Sequence, residues 1–146
     1  MSTYDKVKEF LNKYPSTVRW RVKTHAAIID KHINPNEELL YAFVGQLNNN
    51  PWNMVETGVI AITTERLLIG RKYLWPGYKL ISITPDLFND LSVESQLFWG
   101  TIVIDTLKET TYVSDLDKKS LPEIETIITT FMEEKKKEYP NKLKEN

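Results

Sequence analysis

The densest chemistry in this 146-residue chain lies in nine consecutive residues, Arg71-Lys72-Tyr73-Leu74-Trp75-Pro76-Gly77-Tyr78-Lys79. Three cations and three aromatic rings there put charge-assisted donors beside broad apolar faces. Such a set suits a protein contact, where Trp, Tyr and Arg carry most of the binding energy. It also suits an anionic bilayer surface, where each basic residue gains about 1 kcal/mol and aromatic rings favour the interface. Three charges would give weak attachment only. The plainer alternative folds Trp75 and Tyr78 back over the end of the core and leaves the cations in water. Trp52 lies in a neighbouring Asn48–Met54 loop. The candidate binding residues are therefore Arg71, Lys72, Tyr73, Trp75, Tyr78, Lys79 and Trp52. Trp99 is read as a ring capping the core.

Catalytic chemistry is poorly supplied. His25 and His32 are seven residues apart on one expected helix, which separates them by about 10 Å. That is too far for one zinc ion, and Asp30 does not repair the set. No cysteine is present, which removes disulfides, thiolate zinc sites and a cysteine nucleophile. No Gly-x-Ser-x-Gly elbow, Gly-x4-Gly-Lys loop or Gly-x-Gly-x2-Gly loop occurs. Paired acids such as Glu37-Glu38 and Glu133-Glu134 fall at element ends, where solvated charge is ordinary. The expectation is a non-enzyme with no metal and no cofactor. Arg19, Trp20, Arg21 and Lys23 could touch phosphates or stack on a single strand. A net charge of −1 and the lack of a reader motif make nucleic acid an unfavoured partner, and Trp20 has an alternative place between helix and sheet.

These residues need a frame to hold them. Composition is that of one globular domain, 41% hydrophobic and 27% charged. The opening residues contain no apolar signal core, so a cytoplasmic location is expected. Val7, Phe10, Leu11 and Tyr14 share one helical face, Ser2 or Thr3 can cap it, and Pro15 ends it. Ser16 and Thr17 offer caps for a second helix carrying Val18, Val22, Ala26 and Ile29, stopped at Asn34-Pro35. The spacing predicts helices over 3–13 and 17–32. Residues 1–36 carry a surplus of +4 and residues 37–121 a balance of −4. Charge-driven docking of the two is one consequence; separately solvated faces are the other.

From Glu37 to about Ser114 short runs rich in Val, Ile, Thr and aromatics alternate between turn residues, the pattern of antiparallel strands. Seven runs are expected: from Leu39, 55–63, 66–72, 78–84, 90–96, 99–107 and 110–114. Ser120-Leu121-Pro122-Glu123 reads as a capping box opening a last helix with an Ile124, Ile127, Ile128, Phe131 stripe. The division is a helical hairpin over 1–36, a strand-rich domain over 37–138 and a polar tail over 139–146.

Seven strands closed by one amphipathic helix resemble a pleckstrin-homology (PH) domain, giving an α+β, PH-like seven-stranded barrel or sandwich behind two N-terminal helices. Residues 36–134 look like the bacterial YokE-like PH family. The likeness rests on Glu37-Glu38-Leu39-Leu40, on the hairpin Gly58–Ile69 with Thr63 and Arg66, and on Gly100–Ile104 ahead of the final helix. The resemblance implies a binding module. Phosphoinositide-binding PH domains use basic residues between strands one and two, whereas that loop here has none. A phosphorylated head group needs charge-assisted donors. The departure favours a bacterial protein-interaction module, with weak anionic-membrane contact through Arg71–Lys79 as the alternative.

Overall fold

The computed structural model describes residues 1–50, 53 and 55–145, the side chains of 139–145 excepted. Two helices, α1 (Thr3–Lys13) and α2 (Val22–His32), precede seven strands. These are β1 (Leu39–Gln46), β2 (Thr57–Thr63), β3 (Leu67–Lys72), β4 (Tyr78–Ile83), β5 (Phe88–Ser95), β6 (Gly100–Thr106) and β7 (Thr110–Leu116). A 3-10 turn (Lys118–Ser120) leads into α3 (Leu121–Glu145). The tail expected over 139–146 falls on residues whose side chains lie outside the described set.

All strand pairings are antiparallel, in the order β4-β3-β2-β1-β7-β6-β5. The two halves meet where Gln46 pairs with Ser114. The fold is α+β with a seven-stranded antiparallel sheet, a C-terminal helix and two N-terminal helices, as expected. α3 packs on β5 and β6 and sends Ile124, Ile128 and Met132 into the core. Its start presses so closely on the sheet that a Cβ on Gly100 would stand 2.5 Å from Leu121 Cδ1.

The N-terminal helices add a further layer. α1 packs along β1 and α2 along β2 and β3. All seven residues of β2 are consequently buried. Ile60 and Ile62 face one side of the sheet, while Val59 and Ala61 face the other. Val7, Phe10, Leu11 and Ile29 join the strand residues in one continuous apolar cluster. Phe10 stands 5.7 Å from Phe43 and 6.2 Å from Tyr41, ring to ring.

α1 has the bounds its pattern predicts, with a capping box between Ser2 and Asp5. α2 is shorter than expected: it starts at Val22, and Arg21, in the left-handed region at φ 53°, is its N-cap. Ser16 and Thr17 do not cap it. The Thr17 hydroxyl accepts from the Asp117 amide at 3.0 Å, the Ser16 amide donates to Asp117 Oδ2 at 3.2 Å, and the Val18 amide donates to the Asp115 carbonyl at 2.9 Å. Residues 16–18 are thus strapped to the end of β7. The capping box expected at Ser120 is also absent. Ser120 donates its hydroxyl to the Asp117 carbonyl at 2.6 Å, and Glu123 turns to Tyr41 and Lys13 instead.

Candidate functional site

β3 and β4 form a hairpin in which Lys72 pairs with Tyr78 and Arg71 with Lys79. Gly77 at φ 89° makes the turn, and the Tyr73 amide donates to the Gly77 carbonyl at 3.0 Å. Trp75 stands at the tip, 90% exposed, with Leu74 at 67% and Tyr78 at 50%. The fold-back alternative fails for Trp75. Tyr78 does lean inward, its hydroxyl 3.3 Å from His32 Nε2 and its ring 5.3 Å from the imidazole.

Alternation along the hairpin sends Lys72 and Tyr78 to the α2 side and Arg71 and Lys79 to the other. Arg71, Lys79 and Ile81 line an open cavity of about 160 Å³ together with Leu47, Glu56 and Glu109. The flanks of the 48–54 loop therefore share an end of the sheet with the hairpin. Arg71 lies 5.2 Å from the Tyr73 ring, and its Nε is buried without a hydrogen-bond partner. Trp52 lies outside the described residues. Around it, Asn48 Nδ2 donates to the Asn53 carbonyl at 3.3 Å and Asn53 Nδ2 to Glu56 Oε1 at 2.8 Å.

The structure brings Arg71, Lys72, Tyr73, Trp75, Tyr78 and Lys79 to the rim at this end of the sheet, with Lys72 and Tyr78 on its α2 side and Arg71 and Lys79 on its cavity side. Glu56 and Glu109 on that rim were not legible, because they arrive from strand ends distant in sequence. A second exposed tip, Leu97 at 79% and Phe98 at 72%, also went unread; two apolar residues in a turn were its signal. Trp99 beside it is half-buried and donates from Nε1 to the Ser16 carbonyl at 3.1 Å.

Neither histidine is placed for metal chemistry, and the described residues hold no cluster of three potential ligands. His25 is buried between α2 and the sheet. Its Nδ1 accepts from the Lys72 amide at 2.9 Å, so the neutral ring carries its proton on Nε2 and donates to Thr57 Oγ1 at 3.0 Å. Burial, helped by the charges of Arg21 and Arg71, lowers its pKa to about 4. Among the described residues no helix is long and apolar enough to cross a membrane.

A seven-stranded antiparallel sheet with a C-terminal helix packed on its β5–β6 half is the architecture of a pleckstrin-homology domain. The family described as "Bacterial PH domain" matches residues 33–130, and the chain belongs to that family. The fold is similar to a pleckstrin homology domain from Shewanella amazonensis SB2B, with a TM-score of 0.50 and 15% identity over 78% of this chain and 90% of that one. A DUF1696 family protein with a pleckstrin-homology domain from Shewanella loihica PV-4 gives a TM-score of 0.48 and 15% identity, over 78% of this chain and 99% of that one. No curated protein matches. α1 and α2 lie outside the matched residues.

Proposed function

We propose that this chain is a non-catalytic binding module of the bacterial cytoplasm that docks a protein partner on the β3–β4 hairpin. The observation that carries this is Trp75, 90% exposed at the tip of a hairpin whose base is ordered by hydrogen bonds and ring contacts. An exposed Trp at the tip of an ordered hairpin, with cations at the hairpin base, has the composition of an interface anchor. The neighbouring cavity sets Glu56 and Glu109 among Arg71 and Lys79, a mixed lining that suits a protein surface better than a phosphorylated head group. The PH-type unit is taken as 37–138, and the Gly58–Ile69 hairpin favours its YokE-like branch.

The second reading, weak attachment to an anionic membrane, is favoured by Leu74 standing exposed beside Trp75. One experiment separates the two. A photo-crosslinking residue at position 74 forms a discrete protein adduct in cells, and that adduct disappears in Trp75→Ala and in Lys72→Ala. Purified protein does not sediment with neutral or anionic vesicles at low or physiological salt. Both variants keep the melting temperature within about 2 °C, as surface substitutions do. Salt-sensitive sedimentation with anionic vesicles and no protein adduct would replace the protein reading with the membrane one. A large loss of melting temperature would make the hairpin tip part of the core.

A further inference from the structure

Two basic-aromatic segments far apart in sequence become neighbours in the fold. Arg21 donates from Nη1 to the Lys72 carbonyl at 2.9 Å, and the Lys72 amide donates to His25 Nδ1 at 2.9 Å. The first turn of α2 therefore lies against the base of the hairpin. Trp20 is fixed to the same rim, because Thr57 Oγ1 donates to its carbonyl at 2.8 Å. Arg21 thus joins Lys72 on the α2 side of the hairpin, with the exposed Arg19 and Lys23 beside it in sequence, while Arg71 and Lys79 lie on the cavity side.

Among the described residues, none of these six cations takes part in an ion pair, whereas Lys8, Lys13, Arg66 and Lys135 each do. The two carboxylates of the cavity, Glu56 and Glu109, lie with Arg71 and Lys79. A chain of net charge −1 thus gathers six cations against two carboxylates at this end. Three of the cations are held in place, Arg19 by donating from Nη2 to the Pro15 carbonyl at 2.5 Å. The Arg21 guanidinium lies 5.4 Å from the Trp20 ring and the Arg71 guanidinium 5.2 Å from Tyr73. Ordered guanidinium forks lose little entropy when they take a planar carboxylate.

The geometry points to an acidic protein segment with at least one apolar side chain, laid from Trp75 along the α2 side of the hairpin to the head of α2. This rests on the protein-binding reading above and extends it to a helix outside the family match. Leu74 and Trp75 take the apolar side chain, and Arg21 and Lys72, with Arg19 and Lys23 beside them, take the carboxylates. Glu56 and Glu109 on the cavity side disfavour a phosphate backbone or an anionic bilayer that covers the whole end, while a peptide confined to the α2 side avoids them.

The test is fluorescence anisotropy with a labelled 12-residue peptide of alternating Glu and Asp carrying one Leu and one Phe. Its comparison probes are the same peptide with Lys for every acid, a 12-nucleotide oligo-dT, and vesicles of phosphatidylcholine with phosphatidylserine. The chain variants are Arg19→Glu with Lys23→Glu, both exposed and outside the core, and Trp75→Ala. Binding of the acidic peptide that weakens with salt and drops about tenfold in each variant, at unchanged melting temperature, is the expected result. Equal binding of the Lys peptide, or preference for oligo-dT or vesicles, overturns the inference. A loss in Trp75→Ala with none in the α2 variant also overturns it, while the hairpin reading stands. If the acidic peptide fails to bind but the position-74 protein adduct forms, only the acidic partner falls; if the adduct is missing too, both readings fall.

Discussion

Glu37 shows what one residue holds together. Its side chain is fully buried, and it accepts from Arg66 Nε at 2.9 Å, Arg66 Nη2 at 3.1 Å, the Asn34 amide at 3.0 Å and the Thr63 hydroxyl. Arg66 also donates to the His32 carbonyl at 2.9 Å and to Ser82 Oγ at 3.0 Å. One ion pair therefore ties the end of α2, the approach to β1, the β2–β3 turn and β4. Burial works to raise the Glu37 pKa, but the bonds from Arg66, Thr63 and Asn34 hold it below 4.5. Its stabilisation is thus present above pH 4.5 and lost as pH falls through the lower folded value. Removing one partner of such a pair strands the other without compensation. Arg66→Ala is expected to cost about 3 kcal/mol in urea unfolding at pH 7, the lower end for a broken buried pair. Arg66→Lys, which keeps charge but lacks the fork, should fall between it and the natural chain. A loss under about 1 kcal/mol for Arg66→Ala would class the pair with weak surface bridges.

At the scale of elements, the close approach of α2 to β3 depends on Gly70. A Cβ there would stand 2.9 Å from Ile29 Cδ1, 3.2 Å from Ile29 Cγ1 and 3.4 Å from the His25 carbonyl. Ile29 is fully buried, so its side chain has little room to yield. Gly70→Ala should destabilise by about 1–3 kcal/mol through overpacking. Ile29→Val removes the nearest clashing atom, so the double variant should recover part of that loss in a double-mutant cycle. Additive losses would show that the helix shifts as a body instead. The strands and α1 were legible because their signals are local: alternation, a 3.6-residue stripe, and a capping serine before a proline stop. The start of α2 and the cap of α3 were not, because Thr17 and Glu123 had plausible local roles that distant partners displaced. The hairpin site was legible for the same local reason, since its cations and rings are consecutive. Its junction with the head of α2 was hidden, resting on a hydrogen bond between residues 51 apart in sequence.

Across the whole molecule, the N-terminal helices are held by apolar packing far more than by the charge imbalance between segments. Among the described residues, one ion pair joins them to the rest, Lys13 with Glu123, and Glu123 lies beyond the acidic middle. The helix layer instead buries Val7, Phe10, Leu11 and Ile29, each such side chain worth about 1.5–3 kcal/mol. One titratable group sits inside that joint. His25 bridges α2 to Thr57 on β2 and Lys72 on β3, and the second bond needs an unprotonated Nδ1. Its folded pKa is about 4, below the ordinary 6.5, so the unfolded chain takes the proton first as pH falls. The stabilisation is complete above pH 6.5 and is lost progressively towards pH 4. Asp5, Glu37 and Glu123 are held below their ordinary values, so their losses begin only near pH 4.5 and beneath. Urea midpoints measured from pH 7 to pH 5 should therefore fall in the natural chain. They should fall less in His25→Gln, whose amide can still donate to Thr57 and accept from Lys72 but cannot take a proton in this range. Equal slopes in the two proteins would show that the joint between helices and sheet does not depend on a neutral histidine.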